Sequence, residues 1–187
     1  MSEKRYYMAC LDLTGRSCLV VGGGSVGLEK TRGLIDCGAR VTVVAPEIAP
    51  ELRGLPVEIL ERRFQSSDLD GRFLVVAATS DAELNRRVYA EAESRLLLCN
   101  VVDAPEICNF ILPAVHRADP IAIAITTSGA SPALAQRIKR EVAERYGVEY
   151  AHLARRLAEL RPWAKENLAT YEERRDFFQA LVEDALA

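Results

Sequence analysis

Short apolar runs alternate with longer amphipathic stretches over the first hundred residues of the chain. The runs are rich in valine and leucine and are bounded by glycine, proline or charged residues, a composition typical of buried strands. Five strands are predicted on this basis, at residues 17–21, 40–45, 57–60, 73–78 and 96–102.

Two helices are predicted between these strands. The first covers residues 25–37 and is ended by Gly38, and the second covers residues 82–94 with Asp81 as its N-cap. Nearly all the strands are apolar on both faces, as expected of parallel strands that helices cover on both sides. The first part of the chain is therefore predicted to be an α/β structure, a doubly wound parallel sheet.

The pattern changes after Asp103. Residues 110–112 and 121–126 are predicted to form two further strands, separated by a turn at Asp119-Pro120. Ser131-Pro132 then supplies a helix N-cap and a first helical residue, and the charged sequence that follows favours helix, with interruptions at Gly147 and Pro162. We place a boundary near residue 112 and a helical segment from residue 148 onward.

Composition adds mainly exclusions. A chain of 187 residues fits one domain with a small appendage, and its net charge of −3 gives no support to nucleic-acid or membrane-surface binding. No apolar run approaches the ~20 residues of a transmembrane helix and no signal peptide is seen, so a cytoplasmic location is expected. The five cysteines include no Cys-x-x-Cys pair, so we expect thiols rather than disulfides, with Cys18 and Cys99 serving as small hydrophobes in apolar strands. The two histidines show no metal-ligand spacing, so no metal site is expected.

A glycine-rich segment follows the first predicted strand and opens the first predicted helix. It reads Gly22-Gly23-Gly24-Ser25-Val26-Gly27, with glycines at the spacing G-x-G-x-x-G. The first of these glycines permits a tight turn, the second lets the backbone approach a pyrophosphate, and the third lets the helix pack close to the sheet. The helix N-terminus also favours negative charge. A dinucleotide-binding loop is predicted, the alternative being a tight turn that binds nothing.

The end of the second predicted strand lacks the acidic residue that commonly holds the ribose hydroxyls. The sequence there is Ala45-Pro46-Glu47, and no arginine follows at once to hold a 2′-phosphate. NAD is therefore favoured over NADP. Glu47 is either the ribose contact or a solvated loop acid, and the sequence leaves both open.

Several segments together resemble the precorrin-2 dehydrogenase family, which includes the N-terminal part of bifunctional sirohaem synthases. They occur in the family's order between residues 5 and 150, and the combination is far more specific than the glycine loop alone. The segments are residues 20–26, Lys30, residues 38–46, residues 77–81, Asn85, residues 99–103, residues 110–113 and residues 127–132.

This resemblance implies a Rossmann-type NAD-binding domain over residues 1–112, a dimerisation segment over residues 113–147 and a small C-terminal helical domain over residues 148–187. It also implies a homodimer that uses NAD to oxidise the tetrapyrrole precorrin-2 to sirohydrochlorin in sirohaem biosynthesis, with cobalamin and haem as other end products. Some family members also insert ferrous iron. Because this sequence offers few metal-ligating residues, ferrochelatase activity is the lesser expectation.

The resemblance implies roles for individual residues as well. It places NAD contacts at Ser25, Val26, Pro46 and Glu47, beside Gly22, Gly24 and Gly27, and it places the catalytic aspartate at Asp103.

Position along the chain gives independent grounds for two of the site residues. Thr79 ends the fourth predicted strand and is expected beside the cofactor. Asp103 follows the fifth, at the carboxyl edge of the sheet, where it would accept a proton or hold the pyrrole N–H groups. From position alone, a capping aspartate for the turn at Ala104-Pro105 is equally consistent.

Substrate contacts are expected from Asn100 and from the polar loop before the last helical segment, at Thr127, Ser128 and Ser131. For Asn100, the alternative is that its side chain only satisfies backbone groups. For the polar loop, the alternative is that its side chains only cap the helix that follows. Precorrin-2 is a polycarboxylate, so a net acidic protein must meet it with a local basic group. The candidates are Arg117, Arg137, Lys139 and Arg140.

An alternative hypothesis is that the chain is a non-catalytic domain that binds NAD(H) and senses redox state. The Rossmann fold alone does not exclude it, because this fold serves many functions. The segments at residues 100–103 and 127–132 argue against it, because a sensor needs no tetrapyrrole pocket. A sensor would bind NADH without turning over precorrin-2.

Overall fold

The computed structural model describes residues 5–186, and the chain forms two compact units, residues 1–112 and residues 113–187. The first unit holds a parallel sheet with its helices, and the second holds a β-hairpin and three helices. A separate helical domain from residue 148, and a dimerisation role for residues 113–147, stay predictions.

Five parallel strands form the sheet of the first unit, in the order β3-β2-β1-β4-β5. Each lies within two residues of its predicted bounds, so the predicted doubly wound sheet is confirmed. The strands are β1 (Ser17–Val21), β2 (Arg40–Val44), β3 (Glu58–Leu60), β4 (Leu74–Ala77) and β5 (Leu98–Val101).

The two helices of the first unit end in the same hydrogen-bonded turn. α1 (Ser25–Asp36) and α2 (Ala82–Ser94) are each followed by a residue with left-handed backbone, Gly38 at φ 78° and Leu96 at φ 57°. In both turns that residue and the next one donate their N–H groups to carbonyls of the last helical turn, which is a Schellman motif. The predicted end of the first helix at Gly38 is confirmed.

Alternate residues of each strand face two separate cores, one on each side of the sheet. Leu19 packs in the core that contains Val88 of α2, whereas Val20 packs in the core that contains Leu34 of α1. All four side chains are buried. The sheet is therefore covered on both faces, which is why its strands carry apolar residues without alternation.

The buried cysteines serve as small apolar side chains. Cys18 and Cys99 are fully buried in the two cores, and burial raises the pKa of the Cys18 thiol to about 11 and that of the Cys99 thiol to about 12. Both therefore stay protonated at neutral pH. The predicted role of these residues as small hydrophobes is confirmed.

The second unit begins with a hairpin, and the strand predicted at residues 110–112 is wrong. β6 (Ala114–Ala118) pairs antiparallel with β7 (Ile121–Ile125), and the two form a sheet of their own. Phe110 and Ile111 instead pack against the two cores of the first unit. β6 escaped prediction because His116 and Arg117 interrupt its apolar pattern.

Three helices complete the second unit: α3 (Pro132–Arg145), α4 (Val148–Asn167) and α5 (Tyr171–Leu186). Ser131 caps α3 as predicted, because its hydroxyl accepts a hydrogen bond from the Leu134 N–H. The interruption expected at Pro162 is wrong, since this proline lies inside α4. No helix within residues 5–186 is long and apolar enough to cross a membrane.

Replacing Leu96 with glycine is expected to stabilise the protein. A non-glycine residue with left-handed backbone costs ~1–2 kcal/mol, and Leu96 is 92% exposed, so its side chain contributes little packing. After the entropy that glycine adds to the unfolded chain, the free energy of unfolding should rise by about 0.5–1 kcal/mol. Urea denaturation measures this change.

The matched variant is Gly38→Ala, at the same position of the other Schellman motif. It should lower the free energy of unfolding by about 1 kcal/mol, because alanine would have to adopt the left-handed backbone that is unfavourable for every residue with a Cβ atom, as it is for Leu96. A lower urea midpoint for Leu96→Gly would contradict this account of the two helix ends.

Candidate functional site

The glycine loop after β1 is held by three close backbone approaches. A Cβ atom added to any of three glycines would collide with a carbonyl oxygen, so a larger side chain fits only if the loop shifts. The pairs are Gly22 with Ala78, Gly23 with Glu47, and Gly27 with Gly22. The loop is thereby tied to the segments that follow β2 and β4.

Gly24 differs from its neighbours because it faces open space. A Cβ atom added there would have no atom within 4 Å, and its backbone is extended, with φ −86° and ψ −169°. It is the N-cap residue of α1, which has no side-chain cap and no acidic residue in its first turn. The first-turn N–H groups are therefore available to an anionic ligand.

This loop lies at the carboxyl edge of the sheet, where the strand order reverses. β1 is flanked by β2 on one side and by β4 on the other. After β3, at one edge of the sheet, the chain crosses over to form β4 on the opposite side of β1. Ligands of doubly wound sheets bind outside the carboxyl ends of the strands at such a switch point.

A cleft of about 420 Å³ opens at this edge. Its lining comes from the first turn of α1, from the segments after β4 and β5, and from α2. Of the predicted site residues, the structure brings Val26, Thr79 and Asp103 together here. It adds Arg86 and Glu106, to which the sequence analysis gave no role.

Asp103 presents its carboxylate to this cleft. The residue is exposed and lies in the turn after β5, with left-handed backbone at φ 58°. Within residues 5–186 its side chain makes no hydrogen bond or ion pair, so it does not cap the turn at Ala104-Pro105. A strained backbone that displays an unused ionisable group is a common feature of functional sites.

The turn that carries Asp103 is held by the thiol of Cys108. The buried sulfur accepts a hydrogen bond from the Val101 N–H at 3.1 Å and lies 3.2 Å from the carbonyl oxygens of Val101 and Ala104. A thiol is both a weak donor and a weak acceptor, so one side chain serves both ends of the turn. Sequence reasoning missed this role, because nothing distinguished Cys108 from the other cysteines.

Thr79 and Asn85 hold the segment after β4. The Thr79 hydroxyl donates to Asn85 Oδ1 at 2.7 Å, and Asn85 Nδ2 donates to the Thr79 carbonyl oxygen at 2.9 Å. Asp81 caps α2 beside them as predicted, since its carboxylate accepts from the first-turn N–H groups. Thr79 therefore shapes the cleft wall through bonds within the protein, and its contact with a cofactor stays a prediction.

Asn100 lies behind the cleft rather than in its lining. The side chain is buried, and its Nδ2 donates to the Phe110 carbonyl oxygen at 3.2 Å. This arrangement favours the alternative interpretation, in which Asn100 satisfies a backbone group. It ties the segment around Phe110 to β5.

The polar loop before α3 lies in the second unit, and its hydroxyls serve the helix N-terminus. Thr127 Oγ1 accepts from the Ser131 N–H at 3.0 Å and donates to the Ser131 carbonyl oxygen at 3.1 Å. Ser128 has left-handed backbone at φ 54°. A substrate contact from Thr127, Ser128 or Ser131 stays a prediction.

The remaining residues do not belong to the cleft lining. Pro46 and Glu47 follow β2 and are both exposed, so the two interpretations of Glu47 remain open. Among the basic candidates, Arg137 forms an ion pair with Glu141 on α3. His116 is part of the second unit, where Nε2 lies 2.7 Å from the Tyr146 carbonyl oxygen.

Two family models match the chain in succession. One, described as putative NAD(P)-binding, matches residues 9–114. The other, described as sirohaem biosynthesis protein central, matches residues 119–145.

Similar curated proteins are longer than this chain. A sirohaem synthase of Thioalkalivibrio sulfidiphilus is 40% identical over 182 residues, which make up 95% of this chain and 37% of that protein. A sirohaem synthase of Escherichia coli O1:K1 is 39% identical over 181 residues, 94% of this chain and 40% of that protein. The chain thus spans about 40% of the length of these relatives.

A solved structure of similar length has the same fold. The precorrin-2 dehydrogenase SirC superposes with a TM-score of 0.83 at 29% identity, covering 97% of this chain and 93% of that one. The Rossmann-type fold and the resemblance seen in the sequence are confirmed. Because its model covers more than half of the residues, the chain belongs to the putative NAD(P)-binding family.

Proposed function

We propose that this chain is an NAD-dependent precorrin-2 dehydrogenase that forms sirohydrochlorin in sirohaem biosynthesis. The observation that carries the proposal is the Asp103 carboxylate, which no residue within 5–186 binds, in a cleft beside the open position of the glycine loop. The similarity to sirohaem synthases and to SirC supports the same substrate.

The glycine loop fits the pyrophosphate of NAD. Gly24 leaves room for the phosphates, and the uncapped N-terminus of α1, at Ser25 and Val26, offers N–H groups and the positive end of the helix dipole. Pro46 and Glu47 follow β2, where the adenine ribose lies in such folds. When bound, NAD supplies the hydride acceptor.

Asp103 supplies the protein's part of the chemistry. Dehydrogenation removes a hydride and a proton from precorrin-2, and the proton needs an acceptor. The Asp103 carboxylate has both oxygens free to accept it, because no residue within 5–186 binds them. Cys108 and the backbone of the turn hold this side chain at the cleft.

The redox-sensor alternative accounts for less of this arrangement. A domain that only binds NAD(H) has no use for an unpaired carboxylate on a strained turn, whereas proton removal requires one. Iron insertion remains the lesser expectation, since dehydrogenation accounts for the groups that line the cleft.

We also propose that the chain acts as a cytoplasmic homodimer assembled through the second unit. Among the described residues of that unit only Ala135, Ala151 and Ala164 are buried, so it buries no large side chain. A two-stranded hairpin is marginal by itself, and a unit of this size needs a real core to fold stably. Pairing with a second copy would supply one.

Gly24→Val is expected to abolish NAD binding and to leave the fold intact. The backbone angles of Gly24 suit any residue and the space is open, so valine fits the protein but fills the place of the phosphates. Calorimetric titration with NAD measures the loss. The matched control is Gly33→Val, which should keep NAD affinity, since Gly33 also faces open space but lies in the last turn of α1, away from its N-terminus. Unchanged NAD affinity in folded Gly24→Val would remove the cofactor assignment.

Asp103→Asn is expected to slow precorrin-2 oxidation at least a hundredfold, because general-base catalysis contributes ~10²–10⁴-fold. Asparagine keeps the size of the side chain and tolerates left-handed backbone, so the turn should persist. Anaerobic single-turnover assays measure the rate, and NAD affinity should not change. Glu106→Gln tests the second carboxylate that lines the cleft and should retain most activity. Full activity of Asp103→Asn would show that Asp103 is not the proton acceptor.

Light scattering at micromolar concentration is expected to give the mass of a dimer, about twice the 20.6 kDa of the chain. Within the second unit, Ile121, Ile123 and Ile125 of β7 are only partly buried, and association should cover the part that stays exposed. Ile123→Lys should shift the measured mass toward the monomer, whereas Arg63→Glu, an exposed change in the first unit, should not. A monomer for the unmodified protein would refute this part of the proposal.

A further inference from the structure

Arg86 lies on the face of α2 that forms a wall of the cleft. It stands one helical turn after Ala82, and both residues line the cleft together with Asp103. Residues four apart share a face of a helix. The side chain of Arg86 is therefore directed to the space that the substrate would occupy.

The neighbouring arginine of α2 has partners, whereas Arg86 has none among residues 5–186. Arg87 donates to Glu91 at 2.8 Å and lies over the Phe64 ring. Within residues 5–186, the exposed Arg86 makes no hydrogen bond or ion pair. Neither packing nor charge pairing within the protein accounts for this guanidinium.

The charge of the cleft calls for such a group. Its other ionisable lining residues are Asp103 and Glu106, both acidic, in a chain of net charge −3. A polycarboxylate would be repelled by the Asp103 carboxylate and by the net negative charge of the chain unless a cation met it. Guanidinium groups bind carboxylates through paired, charge-assisted hydrogen bonds that fix orientation as well as position.

We propose that Arg86 binds a peripheral carboxylate of the tetrapyrrole and thereby holds the macrocycle in the cleft that contains Asp103. The inference rests on the proposed function and adds a residue that determines substrate binding. The other anion in reach of such a site is a phosphate of the cofactor. The phosphate position is at the N-terminus of α1, and Gly24 and Ser25 do not line the cleft, whereas Arg86 and Asp103 both do.

The test compares Arg86→Gln and Arg86→Lys with the unmodified enzyme. Anaerobic kinetics with precorrin-2 should show KM raised about 10–100-fold in Arg86→Gln, with kcat changed less than about threefold. This is the change expected from the loss of one charge-assisted hydrogen bond. Arg86→Lys should recover part of the affinity, since it keeps the charge but not the paired geometry. Arg32→Gln removes the same charge from an exposed position of α1 outside the cleft and should change neither constant.

Two binding titrations identify the anion. Sirohydrochlorin, followed by its absorbance, should bind Arg86→Gln at least tenfold more weakly, and NADH, followed by its fluorescence, should bind it unchanged. Weaker NADH binding with unchanged sirohydrochlorin binding would assign Arg86 to the cofactor and overturn the inference. An unchanged KM together with unchanged sirohydrochlorin binding would also overturn it. If the unmodified protein binds sirohydrochlorin but does not oxidise precorrin-2, the proposed function fails while the titrations still decide the role of Arg86.

Discussion

The close approach of backbone segments around the glycine loop determines where everything else in the site lies. Gly22, Gly23 and Gly27 each occupy a place that a Cβ atom cannot enter, so the loop after β1 is pressed against the segments after β2 and β4. That contact sets the start of α1 and leaves Gly24 facing solvent. The N-terminus of α1 and the cleft beside it are both consequences of it.

The side chains that hold the walls of the cleft differ from the charged side chains displayed in it. Cys108 closes the turn after β5, and the Thr79–Asn85 pair closes the segment after β4, through bonds that stay within the protein. Asp103 and Arg86 take no part in those bonds and carry charges of opposite sign. The walls of the cleft are thus formed independently of the groups that would meet the substrate.

The sheet could be predicted from the sequence because its strands are buried on both faces and leave a strong apolar signal. The glycine loop could be predicted because three consecutive glycines between a strand and a helix cost chain entropy that an ordinary turn avoids. The prediction failed at residues 110–112, where apolar side chains serve the cores of the first unit instead of a strand. The roles of Cys108 and Arg86 depend on which turns and faces meet in space, and no local pattern encodes that.

The left-handed backbone of Asp103 has a consequence for how such a protein can change over time. Asparagine tolerates the same conformation, and a single nucleotide change converts an aspartate codon into an asparagine codon. Cys108 would still close the turn, and the glycine loop would be untouched. If Asp103 is the proton acceptor proposed above, a descendant that folds normally and keeps the glycine loop but has lost most of the reaction lies one mutation away.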